Sequence, residues 1–264
     1  MIKRIVKLLI ALGFQGVEKI SAFFRNNKNK PGTCVVLMYH DVMAENYSRF
    51  VQQMETLPHL ATVIATDSID ELKKGRHHVA ITFDDGFAHT IDLVMPVLTH
   101  RAIPVTFFIP TNCLGKKASW ITDMELSQRL GPILTIDSLR LLSKHNNVII
   151  GSHGINHKSL LEMTDDVQGV LVESKKILEN ITGKDVKMYS FPFGEYADRH
   201  VAMAHEAGYN HVFTVDPTIV TGVGEAFVIG RVEVDPTDWP LEFKLKVLGA
   251  YRWHPFVSRL KKRL

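Results

Sequence analysis

Cysteine is nearly absent: Cys34 and Cys113 are the two in 264 residues. They stand far apart and outside any paired-Cys motif. That excludes a disulfide framework and a thiolate metal cluster, and leaves two small buried side chains as the reading. Long apolar runs are missing too. The run at residues 8–14 falls far short of the ~20 residues that a membrane-spanning helix needs. No Gly-x-Gly-x-x-Gly turn marks a dinucleotide site, and there is no internal repeat or low-complexity tract. Nor is there a large excess of one charge. The net total is +3, so nothing global points to nucleic acid. With 45% hydrophobic and 22% charged residues, the composition is that of a globular protein and not of a disordered one.

The charge that is present sits at the ends. Residues 1–30 carry seven basic side chains against Glu18 alone, a net +6, and residues 252–264 carry five with no acid. Residues 31–251 therefore hold a balancing net −8. Basic ends on an acidic body suit contact with an anionic surface, most obviously a membrane. Ile2, Ile5, Val6, Leu9, Leu12 and Ile20 recur at helical spacing, with Lys3, Lys7 and Lys19 off that stripe. This predicts an amphipathic helix lying on a membrane surface or, as the alternative, packed on the domain itself. No small-x-small cleavage site follows. The expected location is cytoplasmic and peripheral on the inner membrane face, with a signal anchor as the other reading. The polar stretch NNKNKPG at 26–32 reads as a linker. It divides the chain into a basic segment at 1–30, an α/β domain at 31–239 and a closing basic helix at 240–264.

Beyond the linker, apolar runs of strand length alternate with helical patterns. Strands are predicted at 34–39, 62–65, 78–83, 105–109, 148–151, 187–191, 211–215 and 226–229. Helices are predicted at 49–57, 68–74, 88–101, 136–144, 165–181, 196–207 and 240–264. Such alternation argues for βα units around a parallel sheet. Seven or so units fit a closed or nearly closed barrel better than an open doubly wound sheet.

Three clusters fall just past the C-terminal ends of predicted strands, where α/β folds keep their reactive groups. In ITFDDG at 81–86, Asp84 and Asp85 project in different directions, so one can ligate a cation while the other stays free. A turn with solvated carboxylates, or a phosphoryl-transfer or calcium site, is the alternative. GSHGINH at 151–157 sets His153 and His157 four apart, as on one face of a helical turn, within reach of one ion. Asp85, His153 and His157 would form a three-ligand site with an open position for water, the arrangement of catalytic zinc. SFPFGEY at 190–196 reads as a strand entering a rigid turn. There Pro192, Phe193 and Tyr196 would wall a groove and a backbone N–H would point inward; a plain hydrophobic turn is the competing view. His77 and His78 precede a strand at the opposite end and read as exposed and inert.

TFDDG, SHGINH and FPFGEY, in that order and at those intervals, resemble the NodB-homology polysaccharide deacetylases (carbohydrate esterase family 4) over residues 33–240. The resemblance implies a distorted (β/α)7-type barrel as a single domain, and removal of acetyl groups from N-acetylated sugars. By position it makes Asp85, His153 and His157 the metal ligands, Asp84 the general base and the Phe193 backbone N–H an oxyanion donor. Two departures stand out. Gly154 stands where many members have Ser or Thr, and the Leu-x-His near the C-terminus, source of the general acid, is missing. TCVVLMYHDV at 33–42 is instead similar to the order in permuted members such as the poly-N-acetylglucosamine deacetylases. That makes His40 the expected acid, with a strand-capping role as the alternative and His211 as the fallback donor. RVEVDPTDW at 231–239 resembles, more distantly, the family's Asp-x-x-Asp-Trp element, and makes Arg231, Asp235 and Asp238 supporting or groove residues.

The expected reaction is metal-dependent hydrolysis of the acetamide of an N-acetylated sugar, in a polysaccharide or a lipid-linked glycan, with release of acetate. A His2Asp set takes zinc first, with cobalt, nickel and manganese as alternatives. The expected partners are the glycan and a membrane surface touched by the basic terminal helices, with no nucleic acid. The rival expectations are a catalytically inactive glycan-binding protein on the same barrel and a hydrolase of another small amide.

Overall fold

The computed structural model describes residues 2–24, 30–164, 166–222 and 226–253. In chain order its first half comprises α1 (Ile2–Phe24), β1 (Thr33–Tyr39), α2 (Tyr47–Leu60), β2 (Thr62–Val63), β3 (His77–Phe83), α3 (Ala88–His100), β4 (Val105–Ile109) and α4 (Met124–Leu130). Then come α5 (Ile136–Leu142), β5 (Val148–Ser152), α6 (Val167–Thr182), β6 (Met188–Ser190), α7 (Asp198–Glu206), β7 (His211–Thr214), β8 (Val220–Thr221), β9 (Val228–Glu233) and α8 (Pro240–Val247).

β1, β3, β4, β5, β6, β7 and β9 are parallel and pair in that order, and β9 returns to β1 to close the ring. This is the expected distorted (β/α)7-type barrel, in a single domain. β1 and β3 are buried along almost their whole length. One face of each meets the surrounding helices and the other fills the lumen, which is why both read as continuous apolar runs without alternation. The lumen holds Cys34, Val36, Ala80, Phe108, Met188, Phe213 and Ile229. Cys34 is thus the buried small side chain expected of it, and burial pushes its thiol up to about 12.

The seams of the ring are unequal. β2 lies beside His78 and Val79 of β3, and β4 joins β3 only at Thr82 and Phe83. β8 runs antiparallel beside Thr33 and Cys34 of β1, below the three residues that β9 pairs. β5 and β6 share a single pair, Ser152 with Tyr189. The two short strands wedge into the N-terminal end of the wall, so those seams close only toward the C-terminal end.

Local rules set the helix ends. The Asp166 carboxylate accepts from the Gly169 N–H at 2.7 Å to start α6, and Gly183, left-handed at φ 68°, stops it. Several expectations are corrected. The stretch at 68–74 forms a short 3-10 turn at Thr66–Glu71, and the strand at 62–65 shrinks to two residues. The closing helix ends at Val247, with Gly249 at φ 72° just beyond it. Residues past 253, including the basic tail, lie outside the described residues. α4 has no counterpart in the sequence pattern, because only Leu130 of it is buried while Met124 and Leu126 are exposed, so no apolar stripe marks it. His77 and His78 do sit at the N-terminal end, but they are not inert. The His77 ring bridges the Thr33 hydroxyl and the Val247 carbonyl (both 2.9 Å), and His78 Nδ1 donates to the Thr33 carbonyl at 3.0 Å. Together they fasten β1, β3 and the end of α8.

Candidate active site

His40 follows β1, Asp84 and Asp85 follow β3, His153 and His157 follow β5, and Phe193 follows β6. All six gather at the C-terminal end of the barrel around one cavity of about 250 Å³, with Asp41, Trp120, Leu126 and Val215 among the other residues of its wall. Pro192 is buried, and Tyr196 stacks on Phe191 with centroids 4.8 Å apart, so these two brace the turn from behind. His211 lies at the start of β7, at the other end, against Asp70 at 3.2 Å and the Ala226 carbonyl, which removes it as a proton donor. Asp238 binds Lys246, and the Asp235 carboxylate accepts from the Thr237 N–H. Neither lines the cavity.

Backbone strain aims the two adjacent carboxylates apart. The Gly86 N–H donates to the Asp84 carbonyl at 2.9 Å, closing a three-residue turn around Asp85 at φ 71°. A non-glycine residue held there costs on the order of 1–3 kcal/mol. The histidine pair corrects the sequence reading. It lies in a loop and not on a helical turn, and Gly154 at φ 77° with His157 at φ 52° bends that loop back on itself.

Asp85, His153 and His157 each present one ligand atom within 4.8 Å of the others, the single such group among the described residues. His153 Nδ1 lies 2.8 Å from the Ser190 carbonyl, which can only accept, so Nδ1 carries the proton and Nε2 turns a lone pair to the site. Asp85 Oδ1 lies 3.0 Å from His157 Nε2 and 3.7 Å from His153 Nε2, yet it is buried and makes no hydrogen bond. Acceptors facing one another in a dry pocket are what a shared cation resolves, and the set fits a divalent metal. Burial pushes the His153 ring down to about 4, against the pull of Asp84, so it is neutral and able to ligate at pH 7. Trp120 stacks flat on the His157 ring at 3.9 Å, and Phe193 meets it edge-on at 4.6 Å. Nothing in the spacing of the sequence points to Trp120.

Asp84 is held from the lumen. Arg231 forks onto it with two 2.7 Å hydrogen bonds, and its remaining N–H groups reach the Thr82 and Ser190 hydroxyls and the Thr214 carbonyl. All five guanidinium donors are therefore used, which is how a fully buried arginine is tolerated. Burial pushes the Asp84 carboxyl up, but Arg231, with His153 adding to it, pulls it well below the usual carboxylate range. It is therefore ionised at neutral pH.

A family model described as polysaccharide deacetylase matches residues 71–212, more than half of the chain. The chain belongs to the polysaccharide deacetylase family. The matched stretch contains Asp84, Asp85, His153, His157 and Phe193, while His40 and Arg231 reach the deacetylase site from strands on either side of it. Among curated proteins the chain is similar to YxkH of Bacillus subtilis strain 168, which carries a polysaccharide deacetylase name. Identity is 26% over 222 residues, 78% of this chain and 73% of that one. Among solved structures it resembles IcaB from Ammonifex degensii (TM-score 0.69, 20% identity, 84% of this chain and 98% of that one). It also resembles the Streptococcus pyogenes deacetylase PplD in complex with acetate (TM-score 0.67, 18% identity, 83% and 99%). These two likenesses establish a shared fold.

Proposed function

We propose that this deacetylase hydrolyses the acetamide of an N-acetylated sugar within a glycan and releases acetate. The observation that carries the reading is a carboxylate, Asp84, paired with the buried Arg231 and standing beside a convergent Asp–His–His set inside one cavity. Asp85, His153 and His157 would hold a divalent cation, zinc first and cobalt, nickel or manganese as alternatives. Bound there, the metal supplies a Lewis acid that polarises the carbonyl and acidifies water.

The protein groups divide the remaining work. Asp84 Oδ2 is the oxygen turned to the ligand set, 3.9 Å from His153 Nε2, and takes the proton of the attacking water. Its pairing with Arg231 costs base strength and secures charge and aim in return. The Phe193 N–H, presented by a turn at φ 57°, donates to the oxyanion, a contribution of about 3–4 kcal/mol for such a donor. His40, on the cavity wall, protonates the departing amine. Trp120, Phe193, Leu126 and Val215 keep the pocket apolar and narrow, as an acetyl methyl requires.

The test is acetate release from N-acetylated glycans of several lengths by metal-loaded protein, with simple amides alongside. Release from the sugars supports the reading, and preference for a small amide replaces it. Glycan binding with no release by folded, metal-replete protein makes the molecule a binding module. His40→Gln should lower turnover on acetamides much more than on an aryl acetate, whose leaving group needs no proton.

A further inference from the structure

α1 sits on the barrel the wrong way round for a helix that merely packs. Its inward face is Arg4, Leu8, Ala11 and Gln15; Ala11 is fully buried and Leu8 touches the core. Arg4 anchors it, donating to Glu242 at 2.6 Å and to the Thr237 carbonyl at 2.7 Å, 3.6 Å from Asp238 and 4.6 Å above the Trp239 ring. The opposite face carries Ile2, Ile5, Val6, Leu9, Ile10 and Leu12, all exposed, with Ile2 at 78% and Leu9 at 61%. At 100° per residue these six span roughly half the circumference, centred nearly opposite Arg4 and Ala11. An amphipathic helix that finds its full complement of contacts on its own domain buries that stripe, and here the ion pairs of Arg4 hold the stripe outward.

Lys3 and Lys7 are exposed on one flank of the helix, Lys3 at the edge of the stripe and Lys7 between it and the inward face, and residues 2–16 contain no acid. Two copies meeting through this face would bring four lysines together without a counter-charge from it. Anionic lipid headgroups supply that charge while the aliphatic side chains enter the acyl boundary. We infer that α1 seats the protein on an anionic bilayer surface, and that the glycan it deacetylates is presented at that surface. The second clause rests on the function proposed above; the first does not. α1 begins against residues 237–242, where the chain leaves the C-terminal end of β9, and its Phe14 lies under Arg252, past the end of α8. The helix thus runs down the flank of the barrel from the rim of the catalytic mouth, and a bilayer along it comes level with that rim.

The test uses the full chain and vesicles of phosphatidylcholine with or without phosphatidylglycerol. Wild type should co-sediment with the anionic vesicles. Leu9→Asp should lower that binding roughly tenfold or more. The pair Lys3→Glu and Lys7→Glu should lower it by about the same factor on anionic vesicles only. Leu9 is exposed, so an unchanged circular-dichroism melt checks the fold, and acetate release from a short soluble glycan should equal wild type. Vesicle binding that Leu9→Asp abolishes supports the membrane seat whether or not the glycan is cleaved. Equal vesicle binding by both proteins, none by either, or a wild-type dimer that Leu9→Asp dissociates without any lipid binding overturns it.

Discussion

Arg231→Met removes a buried charge while keeping most of the side-chain volume in the lumen. Asp84, 3% exposed, then loses its guanidinium and both fork hydrogen bonds. Breaking a buried pair from one side costs about 3–5 kcal/mol, and a chain of this size loses roughly 2–4 °C in Tm per kcal/mol. The pH dependence is the sharper signature. In wild type the folded carboxyl lies below its unfolded value of about 4, so its stabilisation is complete above that pH and fades only in stronger acid. Without Arg231, burial dominates and the folded value rises above the unfolded one. The variant is then penalised most at high pH and recovers as Asp84 takes up a proton. Urea unfolding with a chelator present, so that no cation influences Asp84, should show a wide wild-type-to-variant gap at pH 8 and a narrow one at pH 5. A gap under about 1 kcal/mol, or one of equal size at both pH values, refutes the argument.

Asp84→Asn should keep the cation and lose turnover by roughly 10²–10⁴-fold, whereas His153→Ala should lose both; elemental analysis with an acetate assay separates them, and near-normal turnover in Asp84→Asn would end its role as base. Gly194→Ala places a Cβ 2.3 Å from Val215 Cγ2 at a residue with φ 67°. It should cost about 1–3 kcal/mol in thermal unfolding and lower kcat by shifting Phe193, with Val215→Ala restoring part of both. His153 titrates near 4 in the fold against its ordinary 6.5, so the stability it contributes is full above about 6.5 and is lost as pH falls from there through 4. Metal affinity should fall over the same window, and His153→Gln, followed by Tm against pH, should flatten that part of the stability curve.

The barrel was legible because its strands are buried on both faces and so appear as unbroken apolar runs, as in β1, β3 and β4. The reactive clusters were legible because each is contiguous and stands at a strand end, which folding brings to one rim. What escaped depends on contacts remote in sequence. Arg231 was legible as a supporting or groove residue but not as the partner of Asp84, which it meets across 147 positions, since no local pattern distinguishes an arginine aimed into a lumen from one on a groove. The wall supplied by Trp120 and α4 comes from a stretch without periodicity. The His153–His157 spacing placed the two rings side by side for the wrong reason: a loop with two left-handed residues brings them together where a helical turn was expected. His77 and His78 looked solvent-facing because polar residues at a strand start usually are, while here they bind the neighbouring strand and the end of α8.

The β5–β6 seam has one consequence for the living protein. Only Ser152 and Tyr189 pair there, directly beneath His153, while the expected metal would join Asp85 on the β3 side to the two imidazoles on the β5 side. His153 itself spans that seam, its Nδ1–H donating to the Ser190 carbonyl of β6 at 2.8 Å, so an ion held by these three ligands would tie β3 to β5 and, through the His153 ring, to β6. Without such an ion the single-pair seam would be held by that one ring contact alone, and the chain there would open more readily to proteases.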